Sequence, residues 1–351
     1  MMKADTVFYY CICLVVVLLS YFHYSSVYYP FLNSDDAVSI LMLHYFDIKK
    51  DLYFWGQDRY GSLIPLTGQV LHQIFGLKAI LAESLMHYAI LIVGCAGFLS
   101  LINSRILKLV FLIVWFFPVV RMMDLLRYNI GIEYSLLGIA ILIVGKIRNA
   151  DANPNGSWKI HIYFILFFIT ALSAVWVSEL AIVTFSVLLF LFWLFKSRHQ
   201  FKIPVQFKMF RFYFPLLIGA GFSFLYYAKS NSVKVTGYSA FNLMYEIINS
   251  FAAFIKYLVE FFTFKADEPF TSIYVWLLFI AIVVIFNKVK WRSPLNSFWL
   301  TFFILNSGVI FLVLLTSHWV FSNDLARRYF VPLYIMLWMV LLLMLDQKQH
   351  M

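Results

Sequence analysis

VFYYCICLVVVLLSYFHY, residues 7–24, runs for eighteen residues without a charged side chain. A helix needs about 20 predominantly apolar residues, and at least about 17, to cross the roughly 30 Å hydrocarbon core of a bilayer. Lys3 precedes the run and no small-x-small cleavage site follows it, so the spacing predicts a retained signal-anchor helix. Outward from it, comparable runs recur at about 79–102, 109–121, 130–145, 160–176, 180–195, 212–228, 272–287, 298–316 and 330–345. The stretch 160–195 is divided at Trp176-Val177-Ser178-Glu179, because a carboxylate at the centre of a lipid-facing helix costs several kcal/mol. Composition agrees: 63% of the 351 residues are hydrophobic, 20% aromatic and 13% charged. Soluble domains are about 45–50% apolar and about 25% charged. The expected fold is therefore all-α: a polytopic bundle of about ten transmembrane helices, one membrane domain over 1–351 with no separate soluble domain.

The net charge of +10 reads as topology rather than as a nucleic-acid surface, because Lys and Arg collect on cytoplasmic loops. With the N-terminus inside, segments 1–6, 103–108, 146–159, 196–211, 287–296 and 347–351 are cytoplasmic and hold 15 of the 27 Lys and Arg. Of the 17 acids, only Asp5, Asp151 and Asp346 fall on that side. Both termini are expected in the cytoplasm, in a bacterial inner membrane. Two long outer segments remain, about 27–78 and 229–271. Each carries an amphipathic pattern expected to lie along the interface: Val38, Leu41, Met42, Tyr45 and Phe46 in the first, Phe251, Phe254, Ile255, Leu258 and Phe262 in the second. Cys11, Cys13 and Cys95 all sit in apolar runs and read as small buried side chains, not as a disulfide or metal site.

Chemistry gathers on the outer side. Asn33-Ser34-Asp35-Asp36 stands at the head of the first amphipathic helix. Helix capping and the helix dipole account for one or two of these residues. The loop that follows is Tyr53-Phe54-Trp55-Gly56-Gln57-Asp58-Arg59-Tyr60-Gly61-Ser62. Its aromatic rings beside Trp55, Gln57, Asp58, Arg59 and Tyr60 suit either a sugar platform or an interfacial aromatic belt. The two glycines permit tight turns or close backbone approach. Further ionisable groups mark helix ends: Asp124, Arg127, Glu133, Glu179, Asp324, Arg327 and Arg328. Glu179 joins the loop as a candidate substrate contact. The Arg327-Arg328 pair can grip a phosphate through bidentate bonds or act as a snorkelling anchor. No zinc spacing, phosphate-binding glycine loop or nucleophile elbow occurs, and His44 with Asp47 is a weak metal signal.

Together these features resemble the GT-C membrane glycosyltransferases, which include protein O-mannosyltransferases and lipid A aminoarabinose transferases. The likeness rests on Asp35-Asp36 after the first span, on Trp55-Gly56-Gln57-Asp58-Arg59-Tyr60-Gly61-Ser62, and on Arg328-Tyr329-Phe330-Val331-Pro332 before the last. It implies transfer of a sugar from a polyprenyl-phosphate donor to an acceptor hydroxyl on the outer face, with inversion. Asp35 would then be the general base. Asp36 would orient the acceptor or bind a metal, so a divalent cation is allowed and no other cofactor is implied. Arg328, with Arg327, would hold the donor phosphate. The acceptor would be a lipid-linked glycan, a lipid or a protein.

The chief alternative is a transporter or flippase of lipid-linked sugars, for which inverted repeats and midplane charges are expected. An acyltransferase is expected to carry a buried histidine in a span, and His87 and His161 are poor candidates by sequence. A non-catalytic partner subunit would have no need of the paired acids.

Overall fold

A computed structural model describes residues 4–28, 34–56, 60–119, 122–127, 129–151, 157–197, 207–232, 294–316 and 330–348, and a few between 251 and 259. The described residues are helical, with no strand and a single β-bridge between Tyr53 and Gly61. The helices are α1 (Ala4–Tyr24), α2 (Ser34–Tyr45), α3 (Leu63–Phe75), α4 (Ala79–Leu99), α5 (Arg105–Phe116), α6 (Asp124–Arg127), α7 (Asn129–Asp151), α8 (Ser157–Val177), α9 (Ala181–Ser197), α10 (Phe207–Ser230), α11 (Pro294–Leu315) and α12 (Val331–Lys348). Five are long and apolar enough to cross a membrane, over Thr6–Tyr24, Ala79–Leu99, Asn129–Ile147, Trp158–Val177 and Phe298–Leu315. Ala181–Phe195 and Val331–Asp346 are shorter apolar helices. The expected span at 272–287 lies outside the described residues.

Over the expected span at 109–121 the helix is shorter than a full crossing. This helix, α5, has only 12 residues, about 18 Å of rise. Pro118 ends it, since proline carries no N–H and pushes the preceding residue out of the helical region. Leu107, Phe111, Trp115 and Phe116 of α5 are buried, so its apolar character serves packing inside the bundle.

Gly94 and Gly97 of α4 face Ser135 and Gly138 of α7. A Cβ on Gly97 would overlap the Gly138 carbonyl, and one on Gly138 the Gly94 carbonyl. Small residues of this kind let two spans meet backbone to backbone where lipid supplies no hydrophobic drive. Residue numbers rise together across this contact, so α4 and α7 run in parallel.

Arg105 donates to the Thr6 hydroxyl at 3.1 Å. The Asp346 carboxylate accepts from the backbone N–H of Asn103 (2.8 Å) and Ser104 (2.9 Å) and from the Asn103 amide (3.0 Å). Both chain ends therefore lie at the end of the bundle where α5 begins. Asp346 is 1% exposed and caps α5 from 242 residues away. Asp346→Ala leaves buried donors at a helix start without an acceptor and should destabilise the protein by about 2–4 kcal/mol, read as a lowered thermal midpoint in detergent.

Side-chain burial refines two smaller expectations. In α2 the buried residues are Asp36, Met42 and Leu43, while Leu41 and Tyr45 are 49% and 67% exposed. Leu43 enters the space left by Gly68 of α3, so one side of α2 packs on α3. Cys95 is buried, but Cys11 is exposed and Cys13 half-buried on α1; none is in a disulfide. Of the second amphipathic pattern, Phe251 and Ile255 are exposed, and its other members lie outside the described residues.

Candidate functional site

At the opposite end of the bundle from Asp346, a cleft of about 600 Å³, open mouth included, is built by six elements, α3 adding Ile64 to its wall. Helix α2 contributes Asp35, Asp36 and Ser39 from its first turns, where residues three and four apart share a face. Helix α4 contributes Glu83 and His87, α6 contributes Arg127, and α7 begins there with Asn129 and Ile130. Phe54 and Tyr60 close the side.

That side wall is a short hairpin. Phe54 N–H donates to the Tyr60 carbonyl at 2.8 Å and Ser62 N–H to the Leu52 carbonyl at 3.1 Å. The Trp176 indole of α8 donates to the Leu52 carbonyl at 2.7 Å. Gly56 takes φ +79° at the turn, and Gly61 lies flat against Trp176 with no room for a side chain. The two glycines thus do different jobs, one conformational and one steric.

Electrostatically the cleft is organised by two pairs. Arg127 Nη2 lies 2.6 Å from Asp36 Oδ2, with both side chains largely buried. His87 Nδ1 lies 3.9 Å from Glu83 Oε1, one helical turn away. Glu83 Oε2 accepts from the Ser26 hydroxyl at 2.6 Å. Asp35 is half-buried beside the Asp36–Arg127 pair. These four paired residues also wall a second, smaller cleft of about 270 Å³, whose other side is the end of α1 (Tyr24, Ser25, Ser26) with Ser84 and Tyr88.

Several sequence candidates meet here and others do not. Asp35, Asp36 and Tyr60 line the cleft. Trp55 turns away: its indole donates to Asp51 at 2.8 Å, and the ring is 39% exposed. Glu179, expected as a substrate contact, is instead paired with Lys229 at 2.7 Å in the exposed turn between α8 and α9. Gln57, Asp58, Arg59, Arg327 and Arg328 lie outside the described residues. Three residues were not expected as site members. Arg127 is visible in the sequence only as one more outer charge. Glu83 and His87 are hidden inside an apolar run, although an ionisable i, i+4 pair in a span is itself a functional signal. His87, a poor candidate by sequence, is 8% exposed, and its Nε2 has no hydrogen-bond partner.

One turn along α7 from the cleft, Glu133 is 2% exposed, with the Ser178 hydroxyl at the end of α8 beside its carboxyl group. His44 lies near His72, with ring centroids 5.5 Å apart and planes tilted by 56°. Among the described residues no group of three or more His, Cys, Asp or Glu is placed to hold a metal ion. Compared with protein-family models, curated proteins and solved structures, the chain matches none.

Proposed function

We propose that this chain is a membrane glycosyltransferase that moves a sugar from a polyprenyl-phosphate donor to an acceptor hydroxyl, with Asp35 as general base. The observation that carries it is the placement of Asp35 and Asp36 on one cleft with Arg127, His87, Asn129 and Tyr60, at the ends of helices long and apolar enough to cross a membrane. A base must stand within hydrogen-bond reach of the hydroxyl it deprotonates. Asp35 is half-buried and lines the cleft, and Asp36 holds Arg127 at 2.6 Å. Asp36 then orients rather than abstracts. Phosphate departure is eased by preplaced cations, the role assigned to Arg328 and Arg327. Incubating the purified protein with a panel of polyprenyl-phosphate sugars, and following candidate acceptors by mass spectrometry, tests the reading. Absence of any sugar transfer across the panel overturns it.

The bundle is proposed to hold about ten spans in a bacterial inner membrane, with both termini cytoplasmic and the cleft outside. Single cysteines in a Cys11, Cys13 and Cys95-free background should label from outside at 33–62 and from inside at 196–211. The reverse pattern would place the cleft on the cytoplasmic face and remove the proposed donor.

One observation favours the rival reading. Glu133, buried in a span with no ion pair among the described residues, is the kind of group that carries protons or ions in transporters. If the protein moves lipid-linked sugars across proteoliposome membranes and Glu133→Gln stops the movement, the flippase reading wins over the transferase.

A further inference from the structure

We propose that the paired ends of α2 and α3 form a lipid-docking surface, which seats in the membrane–water interface and selects anionic phospholipid headgroups through Lys49, Lys50 and Lys78. This surface lies at the other end of α2 from Asp35, and its role does not depend on the transferase reading.

The two helix ends are built as one unit. Leu43 fills the space over Gly68, the Gln69 amide donates to the Phe46 carbonyl at 3.1 Å, and the His44 and His72 rings lie 5.5 Å apart. Met42, Leu43 and Phe46 are buried. Large apolar side chains are nevertheless left outside. Leu41 and Tyr45, four apart, share one face of α2, and Val70 and Ile74 share one face of α3. All four are exposed, as are Ile48 and Phe75 beside them. Ile74 and Phe75 are 68% and 67% exposed, too open to belong to the core. Exposed apolar residues gathered in this way mark an interaction surface, where single scattered ones do not.

Continuity and charge identify what covers it. Helix α3 ends at Phe75, Gly76 turns the chain with φ +64°, and Lys78 stands directly before the span Ala79–Leu99. The patch therefore lies at the level where that span enters lipid, where amphipathic segments sink their apolar side among the headgroups. Lys49, Lys50 and Lys78 are all exposed at its edge. Their long stems let the ammonium groups stay with the headgroups while apolar neighbours sit deeper. Among the described residues of these two helix ends, one exposed carboxylate opposes the three lysines. It is Asp47, whose Oδ1 accepts from the Lys49 N–H at 2.9 Å. Asp51 is buried and accepts from the Asp47 N–H and the Trp55 indole, both at 2.8 Å. The balance is basic at the end of the bundle proposed to be outside, where the gathering of Lys and Arg in cytoplasmic loops gives lysines no topological role. A second copy of the chain would meet this surface with like charge, whereas an anionic headgroup meets it with the opposite one.

The test uses the full chain with Cys11, Cys13 and Cys95 replaced and a fluorophore on Ile74→Cys, in nanodiscs of mixed phosphatidylcholine and phosphatidylglycerol. A nitroxide quencher is carried by one lipid or by the other at the same overall composition. Nitroxide on phosphatidylglycerol should quench more strongly, reporting a local enrichment of at least about 5-fold, since a basic residue near an anionic surface gains about 1 kcal/mol. Lys49→Gln, Lys50→Gln and Lys78→Gln together should abolish the difference, as should molar salt, which shortens the screening length to about 3 Å. A label on Phe8→Cys, near the other end of the bundle, should keep its own quenching in that triple variant. Failure of both lipids to quench at position 74 means that protein covers the patch, a second copy included, and overturns the proposal. Equal quenching by the two lipids leaves apolar contact without headgroup selection and overturns it too. So does a preference that survives the three substitutions. No sugar transfer is measured, so the result stands apart from the transferase reading.

Discussion

Asp35→Asn should reduce sugar transfer by at least about 100-fold, the low end of what a positioned general base contributes, while leaving the folded protein in place. The substitution removes proton-accepting ability and keeps the side chain's size and shape. Asp35 is half-buried in the first turn of α2, where Asn serves the helix start nearly as well as Asp. Its thermal midpoint should therefore stay close to that of the native protein. Asp36→Asn makes the informative contrast. Asp36 is buried against Arg127 at 2.6 Å, and removing one partner of a buried pair strands the other charge at a cost of about 3–5 kcal/mol. Loss of both activity and stability is expected at 36, loss of activity alone at 35. Near-native turnover in Asp35→Asn would remove the base assignment, and a collapse in its stability would turn that residue into a structural cap.

The contrast also explains what the sequence could reveal. Lipid imposes a length and an apolar composition on any helix that crosses it, so runs such as 79–102 and 160–176 are visible one at a time. Helices α4 and α8 lie on them. The division near Glu179 was legible for the same reason: α8 ends at Val177 and α9 begins at Ala181. Burial between protein elements leaves no comparable one-dimensional mark. Leu43 is buried because Gly68 makes room for it, and no periodicity in α2 records what α3 carries. Over residues 109–121 apolar residues serve packing as well as length, and Pro118 marks where α5 ends early.

The site was legible to the extent that its chemistry stood in polar sequence. Asp35 and Asp36 follow a span and draw attention. Arg127, 91 positions away, becomes their partner only through the tertiary fold. Glu83 and His87 were masked by apolar neighbours, and their meaning emerges when Ser26 of another element reaches Glu83. Glu179 shows the same limit: its partner Lys229, on α10, is 50 positions away in the sequence.

Close approach of α4 and α7 is what brings Glu83, His87 and Asn129 to one cleft, and it sets the second large effect. Gly97→Ala should destabilise the protein by more than about 2 kcal/mol, at the upper side of ordinary overpacking costs. The added methyl would overlap backbone, the Gly138 carbonyl, rather than a side chain that can rotate away. Relief requires the two helices to separate. Gly145→Ala supplies the control within α7. A Cβ there meets nothing within 4 Å, so replacing a helical glycine should be neutral or stabilising by up to about 1 kcal/mol. Thermal midpoints of the two variants in detergent should move in opposite directions or differ by many degrees, and Gly97→Ala should lose transfer because its cleft walls no longer meet. Equal midpoints would mean that α4 and α7 pack less closely than their glycines imply, and the pairing of Glu83 and His87 with the Asp36–Arg127 wall would lose its structural basis.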